Sequence, residues 1–219
     1  MRYWDLRYFF DPRNYAHKGG NDLPIPDYIG VNGPVMKNSY INGGYPQERL
    51  IEVEALRYLH LNNSSVSQIK NNKNRPQRTL LVVGDYLQES TSKQLALLMA
   101  AFKDIEYSIR YIIKPHPGCS INIQDLPGLN CEISSQPIGE LLLISDIVYS
   151  SSTTSAAVDA YCAGKLVIIV LDGKSLNLSP LRSFGGVYFV KSAKELVVVI
   201  NGAELNDLGQ RKDFFHLDI

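Results

Sequence analysis

Six hydroxyl side chains stand in a row, Ser150, Ser151, Ser152, Thr153, Thr154 and Ser155, between an apolar run ending at Tyr149 and an Ala-rich segment closed by Gly164. Read as a strand-to-helix turn, this stretch places its hydroxyls where a helix leaves its first N–H groups unpaired and its dipole favours negative charge. That chemistry suits a phosphate. One helix cap accounts for one hydroxyl. A run of six at the carboxyl end of a buried strand, where open α/β sheets bind their ligands, asks for more than capping. The six hydroxyls together are therefore the expected phosphate site.

A second candidate precedes it in the chain, Lys114-Pro-His-Pro-Gly118. The two prolines fix the backbone around His116 and deny it a helix or a continuing strand. A lone histidine is usually structural. Held in a stiff turn with Lys114 two residues away, His116 suits an anion as a hydrogen-bond donor, with Lys114 as a point charge. Gly84 and Asp85 open another loop, where Gly84 lets backbone approach a ligand closely or simply makes a turn, and both are counted with the nucleotide-phosphate set. Asp159, one turn into the Ala-rich helix, either accepts from a ribose diol or complements the helix dipole. Lys174 and Arg182 read as solvated loop charges, with the rim of a positive site as the alternative. Neither the GxGxxG nor the GxxxxGK[ST] phosphate signature occurs, and no Asp-x-Asp pair suited to a divalent metal is found.

The elements that must position these residues follow from the apolar pattern. Strands are expected at Thr79–Val83, Tyr107–Ile113, Leu129–Ile133, Ile144–Tyr149, Leu166–Leu171 and Val187–Val190. Helices are expected at Ser90–Phe102, Pro137–Leu143, Tyr149–Gly164 after its hydroxyl turn, and Ala193–Ile200. Such alternation means a Rossmann-like parallel sheet with helices on both faces and its site at the strand carboxyl ends.

Residues 1–61 look different. The first 42 are rich in Tyr, Asn, Gly and Pro, with one short strand candidate, Tyr28–Val31, and too few periodic apolar positions for a core of their own. Gln47–Leu61 carries Leu50, Val53, Leu56 and Tyr58-Leu59 on one helical stripe and is expected as a helix. Residues 62–78, rich in Asn, Ser and Lys, read as a linker, and residues 79–219 as the domain proper.

The 219 residues, 45% hydrophobic, suffice for a sizeable core. Basic and acidic residues balance at 22 each, which excludes a general nucleic-acid coat or a strongly basic membrane binder. Three cysteines without metal-like spacing point to a reducing, cytoplasmic setting, and the charged opening residues are unlike a signal segment.

Lys114-Pro-His-Pro117, Ser145-Asp-Ile-Val-Tyr-Ser-Ser-Ser-Thr-Thr154 and Asp159-Ala-Tyr-Cys-Ala-Gly-Lys-Leu-Val167, in that order, resemble the carboxyl-terminal donor-binding domain of GT-B glycosyltransferases of bacterial surface polysaccharides. Capsule and O-antigen enzymes, Kdo transferases and polysialyltransferase-like or CDP-glycerol-dependent relatives are the nearest in pattern. The resemblance implies that His116 and Ser151–Thr154 bind the donor phosphate and that Asp159, where relatives more often carry Glu, contacts the nucleotide's sugar. It implies a nucleotide-sugar donor, a glycan or lipid-linked glycan acceptor, no cofactor and no metal, and peripheral association at the inner face of the membrane. The CMP-linked donors, with one phosphate, suit the compact His and Ser/Thr arrangement; UDP- or CDP-linked donors are the alternative. Residues 1–61 then resemble the tail of an acceptor domain and its crossover helix. The catalytic base would lie in the rest of that domain, and the chain alone is expected to be inactive. A UDP-N-acetylglucosamine 2-epimerase-like enzyme and a non-catalytic nucleotide-binding module of a polysaccharide assembly system are competing readings.

Overall fold

A computed structural model describes residues 26–59, 77–174, 176–177, 179–182, 184–202 and 214–216. The chain divides into two compact units, Met1–Asn63 with Arg211–Ile219, and Ser64–Gln210.

In the first unit, β1 (Ile29–Val31) and β2 (Leu50–Glu52) pair in parallel, Ile29 opposite Leu50. Helix α1 (Pro34–Asn42) connects them, with proline in its first turn, where no N–H is needed. The helix expected over Gln47–Leu61 is not formed in the described residues. Two short 3₁₀ turns, Gln47–Arg49 and Leu56–Tyr58, flank β2 instead. The backbone donors of this stretch go elsewhere, Val53 N–H to the Val31 carbonyl at 2.9 Å and Ala55 N–H to the His216 carbonyl at 2.9 Å. His216 N–H in turn reaches the Asn32 carbonyl at 2.8 Å, and Phe215 stacks on Tyr58 with ring centroids 3.7 Å apart. The chain's carboxyl-terminal segment is thus laced between Asn32 and Ala55. Gly33 makes room for it: a Cβ there would lie 1.6 Å from the Phe214 carbonyl oxygen.

The second unit holds the expected α/β architecture. Its strands are β3 (Arg78–Val83), β4 (Ile109–Lys114), β5 (Cys131–Ile133), β6 (Ile147–Ser151), β7 (Leu166–Val170) and β8 (Val187–Val190). They form one six-stranded sheet in the order β5-β4-β3-β6-β7-β8, every pair parallel. Helices α2 (Gln88–Ala101), α3 (Ile138–Ile144), α4 (Ala156–Cys162) and α5 (Ala193–Gly202) complete the alternation. Leu80, Val82, Tyr111, Ile113, Ile147, Tyr149 and Ile168 pack one sheet face with Leu95 and Leu98 of α2 and Leu196 and Ile200 of α5. Leu81, Ile112, Val148, Val167 and Ile169 are buried as well. Burial of alternate residues on both faces is why these strands read as unbroken apolar runs.

Gly164 closes α4 as the sequence predicts. Its φ of 71° is left-handed, Gly164 N–H reaches the Tyr161 carbonyl and Lys165 N–H the Ala160 carbonyl, each at 3.0 Å. This is the paired bonding of a glycine-terminated helix. Ile144 ends α3 instead of opening a strand, and β6 begins at Ile147. Among the described residues no helix is long and apolar enough to cross a membrane.

Candidate functional site

The chain crosses from β3 outward to β4 and β5, then returns to lay β6 on the other side of β3. At such a reversal the loops leaving the two adjacent strands diverge, and open α/β sheets bind ligands in the crevice between them. Here the two loops begin at Gly84 and at Ser152, directly after Val83 and Ser151.

They are joined at Asp85. Its side chain is 3% exposed, and its Oδ2 accepts hydrogen bonds from the hydroxyls of both Ser151 and Thr153. Oδ1 accepts Leu87 N–H at 2.9 Å. Thr91, in the first turn of α2, secures the backbone: its Oγ1 accepts Asp85 N–H at 2.9 Å and donates to the Asp85 carbonyl at 3.2 Å. Gln94, one turn further on, sends its buried amide between the strands, Nε2 donating to the Val83 carbonyl at 3.2 Å and to the Tyr149 carbonyl at 3.0 Å.

The histidine turn adjoins the same edge. Val83 is in register with Lys114, and Gly84 N–H donates to the Lys114 carbonyl at 2.9 Å. A Cβ on Gly84 would stand 3.2 Å from His116 N, closer than ordinary packing, so glycine here lets the two loops approach closely. Cys119 N–H closes the turn on the His116 carbonyl at 2.9 Å. Gly118 N–H donates to His116 Nδ1 at 3.0 Å. A ring nitrogen that accepts is unprotonated, which places the neutral ring's proton on Nε2 as a donor. Tyr86, 63% exposed, sets its ring edge-on to the imidazole at 5.6 Å, and the Cys119 thiol donates to the Tyr86 carbonyl at 2.9 Å.

The expected ligands thus separate into groups. Gly84, Asp85, Lys114, His116 and the hydroxyl turn converge on the carboxyl edge of β3, β4 and β6. Ser151 and Thr153 spend their protons on Asp85, while Ser152 and Thr154 are partly exposed and Thr154 Oγ1 accepts Ala156 N–H at 3.4 Å. Ser150 is fully buried and its hydroxyl has no hydrogen-bond partner among the described residues. Lys114 Nζ donates to the Gln136 carbonyl at 2.6 Å, which leaves part of its donor capacity for an anion. Asp159 is only 7% exposed, inside α4. Helix α4 has seven residues, so its dipole is that of a two-turn helix. Lys174 N–H turns back onto Asp172 Oδ1 at 2.9 Å, and Arg182 Nη1 donates to the Ser179 carbonyl at 3.3 Å. Among the described residues no three His, Cys, Asp or Glu side chains gather as a metal site.

Sequence reasoning missed Gln94 and the parts that Thr91 and Tyr86 play. For Gln94 a signal exists, a polar residue on the apolar stripe shared with Leu95 and Leu98. Nothing local marks Tyr86.

A six-stranded parallel sheet with this reversal and helices on both faces is a Rossmann-like half of the GT-B fold, and solved structures bear that out. The UDP-GlcNAc 2-epimerase of Methanocaldococcus jannaschii, solved with UDP-GlcNAc and UDP, superposes with a TM-score of 0.56 at 13% identity, over 87% of this chain and 57% of that one. The Neisseria meningitidis UDP-GlcNAc 2-epimerase bound to UDP-GlcNAc gives 0.56 at 12% identity, over 86% and 57%. The wall teichoic acid polymerase TagF gives 0.52 at 13% identity, over 85% and 54%. This chain therefore spans little more than half the length of the structures it matches. The sequence matches no protein-family model and no curated protein.

Proposed function

We propose that this chain is the donor-binding part of a glycosyltransferase that moves a sugar from a nucleotide-activated donor, CMP-linked, to a bacterial surface glycan. The observation that carries the reading is the Gly118 N–H bond to His116 Nδ1, which turns a protonated Nε2 into a fixed donor beside the crevice between β3 and β6. With the Ser152 and Thr154 hydroxyls, the turn's backbone amides and the remaining donors of Lys114, it would hold one phosphate. Negative charge that develops on the departing nucleotide would be stabilised by the same groups, without a metal. Gly84 lets the histidine turn lie against the first loop. Asp159 would meet the ribose, provided a ligand oxygen reaches its mostly buried carboxylate. The acceptor and the catalytic base belong, on this reading, to a partner domain, and the work is done in the cytoplasm at the inner face of the membrane.

Calorimetric titration of the chain with CMP, CDP and UDP tests it, repeated on His116→Ala. Tight binding of CMP that the variant loses by about ten-fold or more supports the reading, since a hydrogen bond to a charged group contributes about 1.5–3 kcal/mol. Binding confined to UDP moves the donor to the UDP class. No binding by a folded sample sinks the nucleotide assignment.

The match to two UDP-GlcNAc 2-epimerases favours a second reading, a sugar-nucleotide epimerase. Conversion of UDP-GlcNAc to its C2 epimer without an acceptor, followed by proton NMR, separates it from a transferase.

A further inference from the structure

Each hydroxyl has one proton to give and two lone pairs that receive. At the end of β6 the protons of Ser151 and Thr153 both go to Oδ2 of Asp85, and a carboxylate can only accept. The orientation of both hydroxyls is therefore set from inside the protein, and lone pairs are what they can offer a ligand. Ser151 is buried, and its Oγ lies 3.5 Å from the Thr153 N–H. Thr153 is partly exposed, which makes it the member of the pair open to a ligand. A phosphate oxygen is also an acceptor and gains nothing from such a group, while the Asp85 carboxylate behind it repels a second negative charge.

We propose that Thr153 Oγ1, clasped by Asp85, reads a hydroxyl of the bound nucleotide sugar, on the ribose or on the transferred sugar, and that Asp85 is the positioning residue that imposes this polarity. The inference rests on the nucleotide-sugar reading above. It divides the hydroxyl turn by parity: Ser151 and Thr153 face the carboxylate, and phosphate is left to Ser152, Thr154, the turn's amides and His116 Nε2.

The test titrates wild type, Thr153→Val, Thr153→Ser and Asp85→Asn with six probes: CMP and UDP, their 2′,3′-dideoxy counterparts, CMP-N-acetylneuraminate and UDP-N-acetylglucosamine. Circular dichroism verifies folding. The expected result is that Thr153→Val loses affinity by about five-fold, one neutral hydrogen bond, only for probes carrying the hydroxyl that is read, and that Thr153→Ser restores it. Loss confined to the ribose-bearing nucleotides over their dideoxy forms names the ribose. Loss confined to the sugar-bearing donors over CMP and UDP names the transferred sugar. Asp85→Asn should tighten the dideoxynucleotides, because it removes a charge near the phosphate, and weaken the hydroxyl preference. Equal weakening of all six by Thr153→Val would show a phosphate contact and overturn the inference, as would no change in any. Should Thr153→Val fail to fold, the Asp85→Asn comparison decides by the same two measures. Failure of folded wild type to bind any of the six overturns the nucleotide reading and this inference together, whereas wild-type binding that the variants leave undisturbed overturns the inference alone.

Discussion

Gln94 and Tyr149 hold each other twice: the Gln94 side-chain amide donates to the Tyr149 carbonyl at 3.0 Å, and the Tyr149 hydroxyl donates to the Gln94 carbonyl at 3.1 Å. Both residues are fully buried, and the same amide reaches Val83 on the neighbouring strand. Helix α2 is thereby keyed to the pair of strands between which the crevice opens, by hydrogen bonds that fix its register as apolar packing alone would not.

Removing this key should be felt in stability before it is felt in chemistry. Gln94→Ala is expected to cost about 1–3 kcal/mol, the range for hydrogen bonds lost from buried partners, and urea unfolding followed by circular dichroism measures it. An unchanged midpoint would mean that the amide only fills space.

Gly84→Ala places a Cβ 3.2 Å from His116 N and 3.5 Å from the Lys114 carbonyl oxygen and Pro115 Cα, all backbone. The Lys-Pro-His turn cannot yield as a flexible side chain would. Overpacking of this kind costs about 1–3 kcal/mol, and the displaced imidazole should weaken nucleotide binding at least as much as His116→Ala does. Calorimetry on the two variants makes the comparison; full affinity in Gly84→Ala would show that the turn adapts.

At high pH the core itself should fail. Burial pushes the Tyr111 phenol up to about 12 and raises Tyr149 further. The neutral phenol is what the core accepts, so the folded-state values exceed the unfolded value of about 10. The stabilisation is complete below about pH 10 and is lost as pH rises through the folded-state values. A pH titration reading tyrosinate absorbance together with circular dichroism should find these two phenols ionising with unfolding. Ionisation near pH 10 with the fold intact would contradict it.

Gly33→Ala tests the first unit. A Cβ there would sit 1.6 Å from the Phe214 carbonyl oxygen, so one backbone must leave. Hydrogen exchange should accelerate at the amides of Ala55 and His216, whose bonds run through the displaced segment, and stay slow along β3 and β6.

The sheet was legible because its strands are buried on both faces, and a run such as Leu80-Leu-Val-Val83 has few other places to go. The α4 cap was legible for a local reason, a glycine at the required left-handed position. The stretch after Pro46 misled because Leu50, Val53 and Leu56 keep helical spacing while backbone donors of the stretch go to residues distant in sequence, Val53 N–H to Val31 and Ala55 N–H to His216. Leu56 is 64% exposed while Tyr58 is buried, so the apparent stripe is not one continuous buried face. Helix α1 was missed because Met36 is its only buried residue and no apolar stripe announces it. At the site, composition singled out loops that the fold brings together at the carboxyl edge of β3, β4 and β6. Which hydroxyl gives its proton to what depends on Asp85 meeting Ser151 across the β3–β6 register, a pairing 66 residues apart that no spacing rule encodes.

The lacing of the carboxyl-terminal segment between Asn32 and Ala55 makes that segment an internal ligand, bound non-covalently at a site built by residues near the other end of the chain. Its occupancy is then a matter of effective concentration supplied by the intervening polypeptide. A chain cut before Arg211 should lose exchange protection at Ala55, and a synthetic peptide of residues 211–219, added in trans at millimolar levels comparable to that effective concentration, should restore it.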